Sequence, residues 1–214
     1  MKAIVLIKSC HRHAERRSAC LDTWLPRLDW ADYLFLIGQP TPAQGAPVEV
    51  NSLACNVSDE FPNIAPKIRC GFLYALESGC DFAFVCDDDT YVVPERLRQS
   101  GYWRHDYVGF LRVNGLEYNG NRPYMQGSAY WISARAMRYA VANPLLQRNG
   151  IIDDGAVGQA LYGNVPYVHD DRYFVGPECL EGVPERTNKI ITTHKCLPKQ
   201  MRAVHDLWRR ECAN

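Results

Sequence analysis

The chain lacks an excess of charge of either sign. Its 24 lysine and arginine residues are balanced by 24 aspartate and glutamate residues, so the formal charge at neutral pH is zero. Proteins that gather nucleic acid or anionic membrane over a broad surface need an excess of basic side chains. The balance excludes such a surface, so we expect no nucleic-acid partner and look for charged sites locally.

The N-terminus lacks a long apolar run. The run from Ala3 to Ile7 is five residues long and is interrupted by Lys8. This is too short for the core of a signal peptide or for a membrane span. We therefore predict no transmembrane segment.

The nine cysteines lack the paired spacing Cys-x-x-Cys. Without that pairing a zinc ribbon is disfavoured. The run from Cys10 to His13 also lacks a second ligand pair at the spacing of a zinc finger. We expect most of the cysteines to be buried or surface thiols.

Internal repeats and low-complexity linkers are also lacking. At 214 residues the chain is long for one average domain and short for two. A chain of this size buries about 70% of its unfolded surface, which is enough for a substantial core. We predict that residues 1–214 form a single domain.

The predicted strands and helices alternate along the chain. Continuous apolar runs at 3–8 and 33–38 are typical of strands that helices cover on both faces. This alternation indicates an α/β fold with a central sheet. Further strands are predicted at 48–53, 81–86, 106–113, 124–133 and 189–195, and helices at 14–25, 65–79, 134–144, 155–163 and 198–212.

Three consecutive aspartates, Asp87, Asp88 and Asp89, follow the predicted strand 81–86. Open α/β sheets bind their ligands outside the carboxyl ends of the strands. Like charges at such close spacing repel, and a divalent cation or a cation–phosphate complex would remove the repulsion. The alternative is a solvated acidic turn before a helix at Pro94, and this segment alone favours neither. Carboxylates beside a nucleotide crevice suit Mg²⁺ or Mn²⁺ shared with a diphosphate.

Five short motifs follow one another in a fixed order along most of the chain. Each is weak alone, but together they resemble the fringe-type and related β-1,3-galactosyl- and β-1,3-N-acetylglucosaminyltransferases. The acidic triplet is similar to the Asp-x-Asp motif of that family. The matching stretches are 16–24, 77–92, 123–133, 151–158 and 191–208.

The resemblance implies a single-domain GT-A fold, with a Rossmann-like nucleotide-binding half first and a mixed central sheet flanked by helices. It implies a metal-dependent, inverting hexosyltransferase. Such an enzyme moves Gal, GlcNAc, GalNAc or Glc from a UDP-sugar to a hydroxyl of a glycan or glycoconjugate acceptor, forming a β-1,3 linkage.

The resemblance also assigns a metal site. It makes Asp89 a ligand, and Asp87 and Asp88 contacts of the ribose, the donor sugar or a metal-bound water, with Asp87 also a candidate ligand. His194 becomes a further ligand; by itself, a lone histidine there would more often be structural. An added imidazole favours Mn²⁺ over Mg²⁺.

Three further residues are assigned to the donor site by the resemblance. Lys67 is placed near the nucleotide, although it is also consistent with a solvated first helical turn. Gly127 lets the backbone approach the donor sugar, and Tyr124, Tyr130 and Trp131 offer flat faces for sugar rings. Because strand aromatics are more often core residues, we expect at most one or two of these three to touch the ligand. Arg17 is a candidate contact of the diphosphate, but Arg16 and Arg17 equally fit a solvated helix face.

The acidic pair Asp153 and Asp154 supplies the candidate general base. The attacking hydroxyl needs a proton acceptor within hydrogen-bond reach. An aspartate just before a helix is also a good N-cap, and two acids can fill both roles, one capping and one accepting the proton. The resemblance favours Asp154 as the base.

Two other classes of function remain open from the sequence. One is a Mg²⁺-dependent phosphatase or nucleotide-sugar hydrolase, and the other is a non-catalytic module that binds a nucleotide sugar. The cellular location follows from the N-terminus: because Met1 directly precedes a predicted strand, we expect a cytoplasmic protein of microbial or viral origin. The alternative is the luminal catalytic domain of a longer enzyme.

Overall fold

The computed structural model describes residues 1–39, 51–60, 63–113, 120–174 and 189–211. These residues form a seven-stranded mixed sheet, flanked by helices, and a separate three-stranded sheet. The predicted α/β fold is confirmed. The strands are β1 (Ala3–Lys8), β2 (Asp32–Gln39), β3 (Ser52–Ser58), β4 (Phe82–Asp87), β5 (Tyr91–Val92), β6 (Tyr107–Arg112), β7 (Tyr124–Ser133), β8 (Val168–His169), β9 (Tyr173–Phe174) and β10 (Thr192–Thr193).

The helices cover both faces of the large sheet, and they divide the core into two layers. Alternate residues of β1 belong to different layers: Val5 and Ile7 pack with the helices at Ala14–Asp22 and Pro198–Glu211, whereas Ile4 and Leu6 pack with those at Ile64–Glu77, Ala134–Ala142 and Asp153–Leu161. This explains why the strand reads as a continuous apolar run. The helices are α1 (Ala14–Asp22), α2 (Ile64–Glu77), α3 (Pro94–Arg98), α4 (Ala134–Ala142), α5 (Asp153–Leu161) and α6 (Pro198–Glu211).

The strand order of the large sheet is β3-β2-β1-β4-β7-β6-β8. The first four of these strands are parallel, β7 is antiparallel to both β4 and β6, and β8 is parallel to β6. The chain builds outward from β1 to β3 and then returns to the other side of β1 at β4. Ligands of open α/β sheets bind at such a switch point, and Lys8 and Asp87 mark its rim as register partners.

Strand β7 is irregular where it passes β6. Gly109 pairs with Tyr130 and Leu111 with Met125. Four residues of β7, 126–129, therefore lie opposite a single residue of β6, Phe110. Irregular pairing of this kind frees backbone groups from the ladder and is common beside functional sites. It sets the position of residues 126–129 relative to α5.

Several predicted boundaries differ from the structure. The strands 3–8 and 124–133 have the predicted bounds, but the predicted strand 48–53 is displaced to Ser52–Ser58, and residues 48–50 lie outside the described residues. The predicted strand 189–195 shrinks to Thr192–Thr193, which pairs with β5 and β9 instead of entering the large sheet. Lys195, with φ of 63°, turns the chain just after this strand.

Candidate active site

A cavity of about 620 Å³ opens at the carboxyl ends of β1 and β4. It lies at the switch point of the sheet, where the acidic triplet was expected to meet a ligand. Charged side chains from β1, β4, α2 and the segments around α1 and β10 dominate its wall. The cavity therefore suits a small charged ligand more than an apolar one.

The three predicted metal-site residues meet on this wall. One ligand atom from each of Asp87, Asp89 and His194 lies within 4.8 Å of the other two. His194 Nδ1 is 3.2 Å from Asp89 Oδ1 and 3.8 Å from Asp87 Oδ2. The geometry places two carboxylates and one imidazole together, and their role as metal ligands stays a prediction.

His194 is held at this position by its neighbours in the chain and by the triplet loop. The left-handed backbone of Lys195, with φ of 63°, is uncommon for a residue with a side chain. The Cys196 N–H then donates to the Asp89 carbonyl at 2.8 Å. Thr90 Oγ1 lies 3.2 Å from His194 Nδ1 and donates to the Ser128 carbonyl at 3.0 Å. These contacts fix His194 relative to Asp89.

Asp88 faces inward and is occupied by protein donors. It is 3% exposed; its Oδ2 accepts from Ser9 Oγ at 2.7 Å and lies 2.8 Å from His13 Nδ1. Its Oδ1 accepts from Arg16 Nη1 at 3.2 Å. The predicted contact of Asp88 with ribose, donor sugar or metal-bound water stays a prediction, but these bonds favour an anchoring role.

The repulsion within the triplet is already compensated in large part by protein cations. Lys8 Nζ lies 3.0 Å from Asp87 Oδ1, and Arg16 Nη1 lies 3.0 Å from Asp89 Oδ2. The sequence pattern indicated a divalent cation or a cation–phosphate complex as the source of this compensation, and the contacts of Lys8 and Arg16 show that the protein supplies part of it.

A cation nevertheless fits the remaining ligand atoms. Asp89 Oδ1 is buried and accepts no hydrogen bond of acceptable geometry, although it is in ion-pair contact with His194. Burial alone would raise the pKa of Asp89, but His194 and Arg16 outweigh burial and hold it below its ordinary value. An ionised carboxylate with an unsatisfied oxygen, beside a second carboxylate and an imidazole, is a donor set that Mn²⁺ and Mg²⁺ accept.

Lys8 lies between the predicted metal-site residues and the acidic pair, and the sequence analysis did not single it out. Its buried ammonium lies 3.0 Å from Asp153 Oδ2 as well as 3.0 Å from Asp87 Oδ1. Burial lowers the pKa of Lys8, but Asp153 and Asp87 outweigh burial and raise it above the ordinary value. Lys8 therefore stays charged and ties α5 to the end of β4. The signal that could have identified Lys8 in the sequence is its position as a charged residue at the end of an apolar strand.

Asp154 is held by two backbone N–H groups. Its Oδ2 accepts from Gly127 at 3.0 Å and its Oδ1 accepts from Gly155 at 2.7 Å. Burial, reinforced by Asp153, raises the pKa of Asp154 to about 6, against the lowering effects of Lys8 and the two N–H groups. A carboxylate with this pKa is suited to accept a proton near neutral pH. The assignment of Asp154 as the base remains a prediction.

The N-cap interpretation of the acidic pair is wrong. Helix α5 begins at Asp153 and has Ile152 at its N-cap, without a side-chain cap hydrogen bond. Asp153 is 2% exposed and binds Lys8 instead. Neither acid is the N-cap residue: Asp153 binds Lys8, and Asp154 lies within the first turn, where it accepts from the Gly155 N–H.

Gly127 lies where β1, β7 and α5 meet. An added Cβ would stand 3.0 Å from Lys8 Nζ and 3.2 Å from Asp154 Cβ. The absence of a side chain therefore makes room for protein groups, and it lets the Gly127 N–H reach Asp154. The predicted approach of a donor sugar to Gly127 stays a prediction.

Lys67 lines the cavity, but it is not solvated. It is 4% exposed, lies 2.6 Å from Asp59 Oδ1 and donates to the Ser9 carbonyl at 3.0 Å. Asp59, which the sequence analysis missed, also accepts from the Gly38 N–H at 2.7 Å. The pair forms the buried side of the cavity, and a nucleotide contact of Lys67 stays a prediction.

Arg17 lies outside the cavity wall among the described residues. It is 3% exposed and donates to Ser9 Oγ and to the Cys10 carbonyl. The solvated interpretation of Arg17 is therefore wrong, and its contact with a diphosphate stays a prediction; Arg12 and Arg16 are the arginines that line the cavity.

Two solved glycosyltransferases share the architecture of the chain. The galactosyltransferase LgtC, in complex with donor and acceptor sugar analogs, matches with a TM-score of 0.54 at 10% identity, over 91% of this chain and 87% of that one. A glycosyltransferase involved in glycosylation of the major capsid of PBCV-1 matches with a TM-score of 0.52 at 12% identity, over 96% of this chain and 100% of that one. The chain has the GT-A glycosyltransferase fold.

The sequence is similar to that of a mouse (Mus musculus) enzyme, beta-1,3-galactosyltransferase 6. The two are 26% identical over an alignment 236 positions long, which covers 92% of this chain and 70% of the relative. No family model matches the chain. In the described part of this GT-A chain, no helix has both the length and the apolar character needed to cross a membrane.

Proposed function

We propose that the chain is a divalent-cation-dependent, inverting glycosyltransferase that moves a hexose from a UDP-sugar to a sugar hydroxyl. The observation that supports this proposal most is that Asp87, Asp89 and His194 lie in one cavity. Lys8 connects Asp87 to the acidic pair that contains the candidate base. The GT-A fold and the sequence likeness to a glycosyltransferase support this proposal.

On the donor side, Asp87, Asp89 and His194 would hold Mn²⁺ or Mg²⁺. When bound, the cation supplies positive charge that stabilises a departing diphosphate. Arg16 and Lys67 lie on the same wall, where each is paired with a carboxylate, so the bound cation would supply the positive charge that the diphosphate meets. This wall therefore suits the diphosphate of a UDP-sugar, with its sugar directed toward Asp154.

On the acceptor side, Asp154 would accept the proton of the attacking hydroxyl. The hydroxyl oxygen forms a bond to the anomeric carbon while the bond from that carbon to the diphosphate oxygen breaks, and the diphosphate keeps the electron pair. Attack opposite the leaving group inverts the anomeric centre. The N–H groups of Gly127 and Gly155 fix the carboxylate for this step.

The finer specificity is proposed from the sequence likeness alone. The mouse relative is named a β-1,3-galactosyltransferase, and the motifs resemble those of the fringe-type group. We propose a β-1,3 linkage and a donor hexose among Gal, GlcNAc, GalNAc and Glc. A glycan or glycoconjugate would be the acceptor.

Release of UDP tests the proposal. UDP-Gal, UDP-GlcNAc, UDP-GalNAc and UDP-Glc are each incubated with the protein and Mn²⁺, with and without a mixture of saccharide acceptors. We expect release above background with at least one donor, dependence on added acceptor, and loss on chelation. If no UDP is released from any of the four donors, the transferase activity is refuted. If the rate of UDP release is the same with and without acceptor, the protein is a hydrolase.

Two variants separate an enzyme from a binding module. Asp154→Asn removes the candidate base, while Asp206→Asn makes the same change at an exposed position of α6. We expect UDP release to be lost only in the first variant, with UDP binding retained in both. Equal turnover of the two variants would refute the role of Asp154.

A further inference from the structure

A second cavity, of about 360 Å³, has Asp154 in its wall. Asp154 is the residue of this wall that the proposed reaction uses. The other lining residues come from β6, β7 and the residue after β6. An attacking hydroxyl that reaches Asp154 from here would arrive on a different side from the diphosphate wall, whose described lining residues do not include Asp154.

Three side chains of this cavity project from one face of the β6–β7 ladder. Arg112 and Tyr124 are register partners, and Gln126 reaches the same face because its side chain accepts a hydrogen bond from Arg112. Burial raises the pKa of Tyr124, Asp154 raises it further and Arg112 lowers it. The Tyr124 ring therefore lies within electrostatic reach of both Asp154 and Arg112.

The guanidinium of Arg112 is oriented by two contacts. Its Nε donates to Gln126 Oε1 at 2.7 Å, and its Cζ lies 5.3 Å from the centroid of the Phe110 ring. Arg112 is exposed, and the part of the chain that the structure describes records no carboxylate in an ion pair with it. A pre-oriented guanidinium is suited to bind a planar carboxylate, or another oxyanion, through its two remaining NH₂ groups.

We propose that this cavity binds an acidic saccharide as the acceptor, with its carboxylate or sulfate on Arg112 and its attacking hydroxyl at Asp154. The inference rests on the proposed function and adds the substrate class to it. Tyr124 would lie under the sugar ring between the two charged ends. Because Asp154 repels an anion, the acidic group is directed to the Arg112 end, and this sets the orientation of the acceptor.

Matched saccharides test the inference by calorimetric binding to the full chain in the presence of UDP and Mn²⁺. One pair is p-nitrophenyl β-D-glucuronide and p-nitrophenyl β-D-glucoside, which differ by a carboxylate. The other is p-nitrophenyl β-D-galactoside with and without a 6-sulfate. We expect about tenfold tighter binding of the acidic member of at least one pair, as for one charge-assisted hydrogen bond. The pair that shows it identifies the anionic group.

Arg112→Gln should abolish this preference and leave the affinity for UDP unchanged. Arg138→Gln is the matched control, since it removes the same charge from an exposed position of α4, and it should keep the preference. Equal binding within both pairs, no binding of any of the four saccharides, or equal effects of the two variants would overturn the inference. UDP binding is measured in a separate titration, and its absence would refute the proposed function and not this inference.

Discussion

Lys8 and Asp87 end neighbouring parallel strands in register, and the Lys8 ammonium lies 3.0 Å from the Asp87 carboxylate. The same ammonium lies 3.0 Å from Asp153 at the start of α5. One buried cation therefore connects the candidate metal cluster to the acidic pair that holds the candidate base. Both sites depend on this contact for their relative position.

Lys8→Met should destabilise the protein, because it keeps most of the apolar stem but leaves two carboxylates without their cation. We expect a loss of about 3 kcal/mol in the free energy of unfolding, as for other broken buried pairs. Urea denaturation measures this loss, and combination with Asp153→Asn should recover part of it. A change in Lys8→Met within experimental error of zero would contradict the role of the ion pair.

Mn²⁺ should raise the melting temperature of the protein. A cation that binds only the folded state stabilises it by about 2.7 kcal/mol at about 100 times its dissociation constant. Asp89→Asn and His194→Ala should each lose this thermal shift, because each removes a ligand atom. Asp206→Asn should keep it. A shift of equal size in all four proteins would place the cation elsewhere.

The sequence predicted the α/β fold and the positions of most elements because both faces of the central strands are covered by helices. The apolar runs at 3–8 and 33–38 carry that signal directly. The resemblance of the ordered motifs to a known family also predicted that Asp89 and His194 belong to one site, and in the structure Asp89 Oδ1 lies 3.2 Å from His194 Nδ1.

The cations around the triplet could not be predicted in the same way. Lys8 was read as the interruption of an apolar run, because its partners Asp87 and Asp153 depend on a strand register and on a helix 145 residues away in sequence. The compensation of Asp88 and Asp89 by Arg16 depends likewise on the packing of α1. Sequence spacing alone does not contain these distances.

The activity should fall on the acid side with an apparent pKa near that of Asp154. Burial raises this pKa to about 6, so the group is about nine tenths ionised at pH 7 and about one tenth ionised at pH 5. Protonation removes the acceptor for the hydroxyl proton, so kcat/KM should drop roughly tenfold between these values. A profile of kcat/KM from pH 4.5 to 8 measures this, and a flat profile would exclude Asp154 as the base.

Gly127→Ala should impair turnover more than stability. The added Cβ would stand 3.0 Å from Lys8 Nζ, the far end of a flexible side chain, and 3.2 Å from Asp154 Cβ, which can give way only if the start of α5 shifts by a few tenths of an ångström. Such a shift displaces the candidate base, and small displacements of reacting groups cost up to about 100-fold in rate. We expect kcat to fall with little change in the affinity for UDP.

Gly109→Ala supplies the contrast for that measurement. Its Cβ would meet the Ala129 carbonyl oxygen and Tyr130 Cβ, both at 2.9 Å, and neither can move without the strand. The cost should therefore appear in the free energy of unfolding, by about 1 to 3 kcal/mol, while the folded fraction retains its kcat. If Gly127→Ala behaved like Gly109→Ala, losing stability but not kcat, the geometry of Asp154 would not limit the reaction.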